Sequence, residues 1–248
     1  MIEPNALQIK GFKKQIYWQF IEKEIFNHAH SVHCITKQES QYSKQLAQTN
    51  TFIVPNGVSA KALTNKNNIN NVFCFIGRIH EIKGLDLLLR AIADIKNIKL
   101  IIAGSGIKQY EDYILNLIKT LKIENRIEWL GFANENIKYK IFLSSCCTIV
   151  PSHSEVLSIV GIESIANSTP VLITRQCNFN EIEEFNAGMI MPDNNPDTIK
   201  KYLLKMLDSD IDVMSKNAYN LAMEKYDIDI VSKKILDKFK QIITLKKR

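Results

Sequence analysis

Apolar residues recur along this chain in two rhythms: short unbroken runs, and longer stretches in which they return every three or four positions. From Val72 onward the two alternate. Runs that fit strands fall at Val72–Ile76, Lys99–Ala103, Ile127–Trp129, Cys146–Val150, Val171–Ile173 and Met189–Met191. Helical spacing fits Leu85–Ile95, Gln109–Leu121, Asn134–Ser144, Leu157–Asn167, Pro196–Leu207 and two further segments before the C-terminus. Strands alternating with helices through short links predict an α/β fold, a doubly wound parallel sheet covered on both faces. Ligands of such sheets bind at the carboxyl ends of the strands.

The first part of the chain is patterned differently. Residues 12 to 28 place Ile16, Phe20, Ile21 and Ile25 on one helical face, with Tyr17 beside them. A strand is expected over Ser31 to Thr36, a polar helix over Lys37 to Ala47, and a second strand over Thr51 to Val54. Pro55-Asn56-Gly57-Val58 then marks a tight turn. The Asn- and Lys-rich stretch Thr64 to Asn71 has the composition of a linker.

Composition changes this picture little. Of 248 residues, 46% are hydrophobic and 23% charged, ample for a core. No apolar stretch is long enough to span a bilayer and the N-terminus has no secretory pattern, so a cytoplasmic protein is expected. The five cysteines are odd in number, and no Cys-x-x-Cys pair occurs. That argues against a disulfide framework or a zinc site and for reduced core thiols. The net charge of +6 is carried mainly by scattered lysines. It suits an anionic ligand or the face of an anionic membrane, although such charges usually form a solvated surface. No nucleic-acid motif is present.

Candidate chemistry gathers at the predicted strand ends. After Val150 comes Pro151-Ser-His-Ser-Glu155-Val-Leu-Ser-Ile-Val-Gly-Ile-Glu163, followed by Pro170-Val171. Glu155 is expected just before or within the first turn of a helix, and Glu163 on or beside its apolar face, where a carboxylate needs a partner. Eight residues of helix rise about 12 Å, roughly the reach needed to hold one extended ligand at both ends. The free N–H groups of the helix start would attract phosphate between them. After Ile76 comes Gly77-Arg78-Ile-His-Glu-Ile-Lys83-Gly84, a glycine-bracketed loop with one planar and one point-like cation, both suited to phosphate. The next strands end at Gly104-Ser105-Gly106 and at Trp129-Leu130-Gly131-Phe132. Taken singly, each of these features also occurs at helix starts and strand ends with no ligand.

Together they resemble the retaining GT-B glycosyltransferases of the glycosyl transferases group 1 family. Shared features are Pro-Ser-x-x-Glu-x7-Glu with the trailing Pro-Val, and Gly-Arg-x4-Lys-Gly. The resemblance covers nearly the whole chain. It implies a Rossmann-like donor-binding domain over 58–226, a remnant of the acceptor domain over 1–57 and a C-terminal helix over 227–248. It implies that Arg78 and Lys83 grip the donor diphosphate, that Glu163 binds the ribose, and that Glu155 is catalytic, beside the donor sugar. Leu157, Ser158 and Ile159 would form the sugar and phosphate loop; Gly77, Gly104, Gly131 and Phe132 would line the nucleotide pocket. One departure is Val156-Leu157-Ser158 where the family usually has Gly-Phe-Gly, which would narrow or reshape the sugar pocket.

The implied activity is transfer of a sugar, with retention, from a nucleotide-diphosphate sugar to a glycan or lipid-linked acceptor, in polysaccharide or lipopolysaccharide biosynthesis. No cofactor and no metal is expected, because two cations neutralise the leaving diphosphate. Few residues precede Pro55-Asn56-Gly57-Val58, the family's usual interdomain crossing, and Met1-Ile-Glu-Pro-Asn-Ala-Leu7 resembles an internal segment of longer relatives. The expectation is that the chain begins inside the first domain, leaves Phe20 and Ile25 unpartnered, and works with a partner chain, with peripheral contact at the inner membrane face. The competing reading is a truncated, non-catalytic nucleotide-sugar-binding module. A dehydrogenase is disfavoured because no Gly-x-Gly-x-x-Gly follows the strand Val72–Ile76.

Overall fold

A computed structural model describes residues 16–46, 49–60 and 71–246, with side chains through 244. The predicted linker from Thr64 (all but Asn71), the segment Met1–Leu7, the start of the first predicted helix and the last two residues lie outside the described residues. The chain divides into two compact units, one from Val58 to Asp227, the other before and after it.

In the larger unit, six strands form one parallel sheet: β3 (Val72–Ile76), β4 (Lys99–Ala103), β5 (Ile127–Gly131), β6 (Cys147–Val150), β7 (Val171–Thr174) and β8 (Gly188–Met191). Their spatial order is β5-β4-β3-β6-β7-β8, with Val72 opposite Lys99 and Phe73 opposite Cys147. The order reverses between β3 and β6, which makes the mouth between them the switch point of a doubly wound sheet. The predicted fold class is therefore observed.

Side chains on successive strand positions point to opposite faces, and the core divides accordingly. Phe73, Phe75, Leu100 and Ile102 bury one face against α3 (Leu85–Ala93), α4 (Lys108–Thr120) and α8 (Pro196–Leu207), through Leu88, Leu89, Ile92, Ile114, Ile199 and Leu203. Cys74, Ile76, Ile101 and Ala103 bury the other against Ile141 and Phe142 of α5 (Glu135–Leu143), with Val160 of α6 (Ile159–Ala166) packed alongside. Truncating any of these large core side chains to alanine costs about 2–5 kcal/mol. A short helix, α7 (Glu181–Glu184), and α9 (Ile211–Leu221) complete the covering. The chain then returns to its start, where Val58 N–H donates to the Tyr226 carbonyl at 2.9 Å.

All five cysteines are buried and none is in a disulfide, as reduced core thiols should be. Among the described residues no helix is long and apolar enough to cross a membrane. Most boundaries move by a residue or two, and two of these shifts touch candidate residues. The strand at Ile127 runs on through Leu130 to Gly131, so those residues belong to the strand end, with Gly131 in a left-handed conformation at φ 68°. The helix expected from Leu157 begins at Ile159, because the Ser158 side chain caps it by accepting from Gly161 N–H at 3.2 Å.

The smaller unit pairs β1 (Val32–Cys34) in parallel with β2 (Thr51–Ile53) through α2 (Lys37–Leu46). Thr36 Oγ1 accepts from Glu39 N–H while Glu39 Oε2 accepts from Ile35 N–H, a reciprocal pair that starts α2. Phe52 stacks on His33 at 5.0 Å and takes the edge of Phe239 at 6.2 Å, so α10 (Ile228–Lys246) packs within this unit. A π-wound turn, Trp18–Glu22, leads into α1 (Lys23–His28), and its apolar face is left open: Phe20 is 72% exposed and Ile25 63%. That openness is what the sequence pattern anticipates.

Candidate functional site

The loops that leave β3 and β6 at the switch point are laced together by backbone. Glu81–Lys83 form one 3-10 turn, closed by Gly84 at φ 66°, and the Ile82 carbonyl accepts from His153 N–H at 2.8 Å. A Cβ on Gly84 would stand 2.2 Å from the Pro151 carbonyl oxygen, so only glycine lets the two loops approach this closely. The approach brings Lys83 to Glu155: Nζ donates to Oε1 at 2.9 Å, with the side chains 24% and 10% exposed.

Glu155 is held from several sides. Ser152 Oγ donates to the same Oε1 at 2.6 Å, and Thr174 Oγ1 in turn donates to the Ser152 carbonyl at 2.6 Å. Its backbone N–H donates to the Gln176 carbonyl at 3.1 Å, and its carbonyl accepts from Asn178 Nδ2 at 2.9 Å. Burial, with the Glu155 charge adding to it, pushes the neighbouring Cys177 thiol up to about 12. Glu155 therefore lies in a loop ahead of the capped helix. The expected span of eight helical residues to Glu163 is corrected: only the part from Ile159 is helical, because the Ser158 cap sets the start.

Glu163 sits on α6, whose register is set from below: Ser164 Oγ lies 2.7 Å from Thr148 Oγ1 and 2.9 Å from the Thr169 carbonyl, all buried. The partner that a carboxylate on this face needs is Lys138 of α5, whose Nζ donates to Glu163 Oε1 at 2.5 Å. Arg78 is exposed on the β3 loop and has no ion-pair partner among the described residues. The structure thus pairs Lys83 with Glu155, and Glu163 with a lysine that the sequence motifs do not include. No hydrogen bond among the described residues joins the two pairs to each other.

The glycine ends of β3, β4 and β5 are brought together. Gly77 N–H donates to the Ala103 carbonyl at 2.9 Å and Gly104 N–H to the Gly131 carbonyl at 2.6 Å. A Cβ on Gly104 would stand 1.7 Å from the Gly77 carbonyl oxygen. Phe132 projects from the end of this row, 76% exposed. Leu157 and Ser158 have buried side chains, so the surface they offer a ligand is backbone, while Ile159 opens α6 half-exposed. A cleft of 540 Å³ beside the same β3 loop is lined by Glu81, Asp86, Tyr110, Tyr113 and His153. It contains neither Arg78 nor Lys83, and two carboxylates make it unfit for a diphosphate.

Sequence reasoning missed Lys138, Gln176 and Asn178. Lys138 left a faint signal, a cation in the first turn of a helix where the dipole disfavours it. Asn178, left-handed at φ 54°, left none.

Lysine–carboxylate pairs thus lie by the switch point of a Rossmann-like parallel sheet, the fold of the GT-B class. The chain belongs to the glycosyl transferases group 1 family, whose model matches residues 59–221. It is similar to two uncharacterized glycosyltransferases of Methanocaldococcus jannaschii. One is 35% identical over 130 residues, 50% of this chain and 33% of the relative. The other is 28% identical over 218 residues, 84% of this chain and 59% of the relative. The chain thus spans between a third and three fifths of the length of these relatives. Among solved structures it resembles Anabaena HepE in complex with UDP, with TM-score 0.82 and 18% identity, over 94% of this chain and 69% of that one.

Proposed function

We propose that the unit from Val58 to Asp227 binds a nucleotide-diphosphate sugar and that the protein transfers the sugar, with retention, to a glycan or lipid-linked acceptor. The observation that carries this reading is the contact of Lys83 with Glu155 across the switch point, 2.9 Å, with the unpaired Arg78 on the same loop. A bound diphosphate would draw Lys83 partly away from Glu155 and take the guanidinium fork of Arg78. The two cations then stabilise the charge that develops on the leaving diphosphate, and the Glu155 carboxylate stabilises the positive charge that develops at the anomeric carbon. Because side-chain cations supply the neutralisation, the donor needs no metal ion in this scheme.

Family membership supports the reading, as does the likeness to a fold solved with UDP. The exposed Phe20 and Ile25 support a further segment or partner chain that covers this helix and supplies acceptor contacts. A calorimetric panel of UDP, GDP, ADP and their sugars, with and without EDTA, tests the donor site. Binding should survive EDTA, and Lys83→Ala and Glu163→Ala should each weaken it about tenfold or more. Unchanged affinity in both variants would remove the assignment. Donor binding without transfer to any acceptor would leave a binding module instead of an enzyme.

A further inference from the structure

Lys138 stands where helix energetics alone would not place it. Asn134 caps α5 by accepting from Ile137 N–H at 3.0 Å, and Lys138 follows in the first turn, where the positive end of the helix dipole repels a cation. It reaches across to α6 and donates to Glu163 Oε1 at 2.5 Å, with both side chains about three-quarters buried. The other carboxylate oxygen, Oε2, has no partner among the described residues. The backbone that carries Glu163 is fixed, because its neighbour Ser164 is locked to Thr148 and Thr169 beneath the helix.

We propose that Lys138 is a positioning residue of the donor site, holding one oxygen of Glu163 so that the other faces a single sugar hydroxyl of the nucleotide. The inference rests on the donor-binding reading above and adds a residue to it. A carboxylate with both oxygens free can rotate and accept from water or from either hydroxyl of a ribose. With one oxygen engaged by an ammonium group, the remaining acceptor has one direction, and loss of the hydroxyl it serves leaves a partly buried acceptor unpaired. Lys138 is therefore expected to set how strictly the site distinguishes ribose from deoxyribose. It also ties α5, and with it the Gly131-Phe132 strand end, to the helix that carries Glu163.

The test is a ligand-and-variant cycle on the full chain. UDP, GDP and ADP are titrated first; for whichever binds, the 2′-deoxy and 3′-deoxy analogues follow, on the wild-type chain, Lys138→Ala and Lys138→Arg. The expected result is at least a tenfold penalty for one deoxy analogue in the wild type, reduced below threefold in Lys138→Ala and restored in Lys138→Arg, with circular dichroism unchanged. A merely structural ion pair would lower the affinity for ribose and deoxyribose forms alike, leaving the penalty intact, and that outcome overturns the inference while sparing the donor site. Unaltered affinity and penalty in Lys138→Ala overturns it too. If none of the three nucleotides binds the wild type, the donor reading itself falls and takes this one with it.

Discussion

Two lysine–carboxylate pairs lie on segments that follow the carboxyl ends of strands in the same sheet and are built in opposite ways. Lys83 and Glu155 come from loops, but the carboxylate accepts from Ser152 as well as from Lys83, the Glu155 backbone is tied to the Gln176 carbonyl and to Asn178 Nδ2, and only a tenth of the side chain is exposed. Lys138 and Glu163 come from regular helices, yet each is about a quarter exposed and the carboxylate has a single partner among the described residues. Secondary structure thus does not decide which group is the more rigidly held. The loop pair draws its order from hydrogen bonds to groups that follow β6 and β7, whereas the helical pair draws it from the helices that carry it. Preorganised charge suits a group that must meet charge developing during reaction; a single directed oxygen suits recognition of a hydroxyl.

The largest expected effect breaks the loop pair at its base. Gly84→Val sets a β-branched side chain against the Pro151 carbonyl in a left-handed conformation, and should cost about 3 kcal/mol or more of stability, read as a fall in denaturant midpoint. Next, Lys83→Met leaves Glu155, a tenth exposed, without its cation, whereas Lys138→Met leaves Glu163, a quarter exposed, more accessible to water. We expect a loss of about 2 kcal/mol for the first and under 1 kcal/mol for the second in urea titrations. Equal losses would erase the contrast.

Replacing Asn178 with alanine should weaken nucleotide-sugar binding about three- to tenfold while leaving the nucleoside diphosphate nearly unaffected, because it supports Glu155 and not the cations. Calorimetry with both ligands separates these outcomes. The smallest effect concerns Cys177. In the folded chain its thiol stays protonated to about pH 12, while the unfolded thiol ionises near 9, so its contribution to stability is intact below pH 9 and declines as pH rises toward 12. Glu155→Gln removes one cause of the shift and should shorten that alkaline decline; Glu163→Gln should not. Stability measured between pH 8 and 12 distinguishes the two.

Much of the larger unit was legible from hydrophobic rhythm alone. Val72–Ile76, Lys99–Ala103 and Pro196–Leu207 fall where the pattern places them, because a strand buried on both faces and a helix buried on one leave unmistakable periods. The boundaries at Ile159 and Gly131 shifted because a cap and a strand continuation depend on hydrogen bonds that apolar periodicity does not record. The site was legible in part. Arg78, Lys83, Glu155 and Glu163 stand out through spacing, but Lys138, Gln176 and Asn178, which hold the two glutamates, come from other segments, and no spacing rule connects them.

The sequence by itself therefore determined the layered α/β architecture, the strand ends at which charge accumulates, and the family. These follow from local periodicity and short motifs, which act over a few residues. Only the tertiary structure decided which cation faces which carboxylate, that Glu155 belongs to a braced loop, and that Glu163 answers to a lysine on the neighbouring helix. Those facts depend on strand order, since the reversal between β3 and β6 sets loops 72 residues apart within hydrogen-bonding reach of each other.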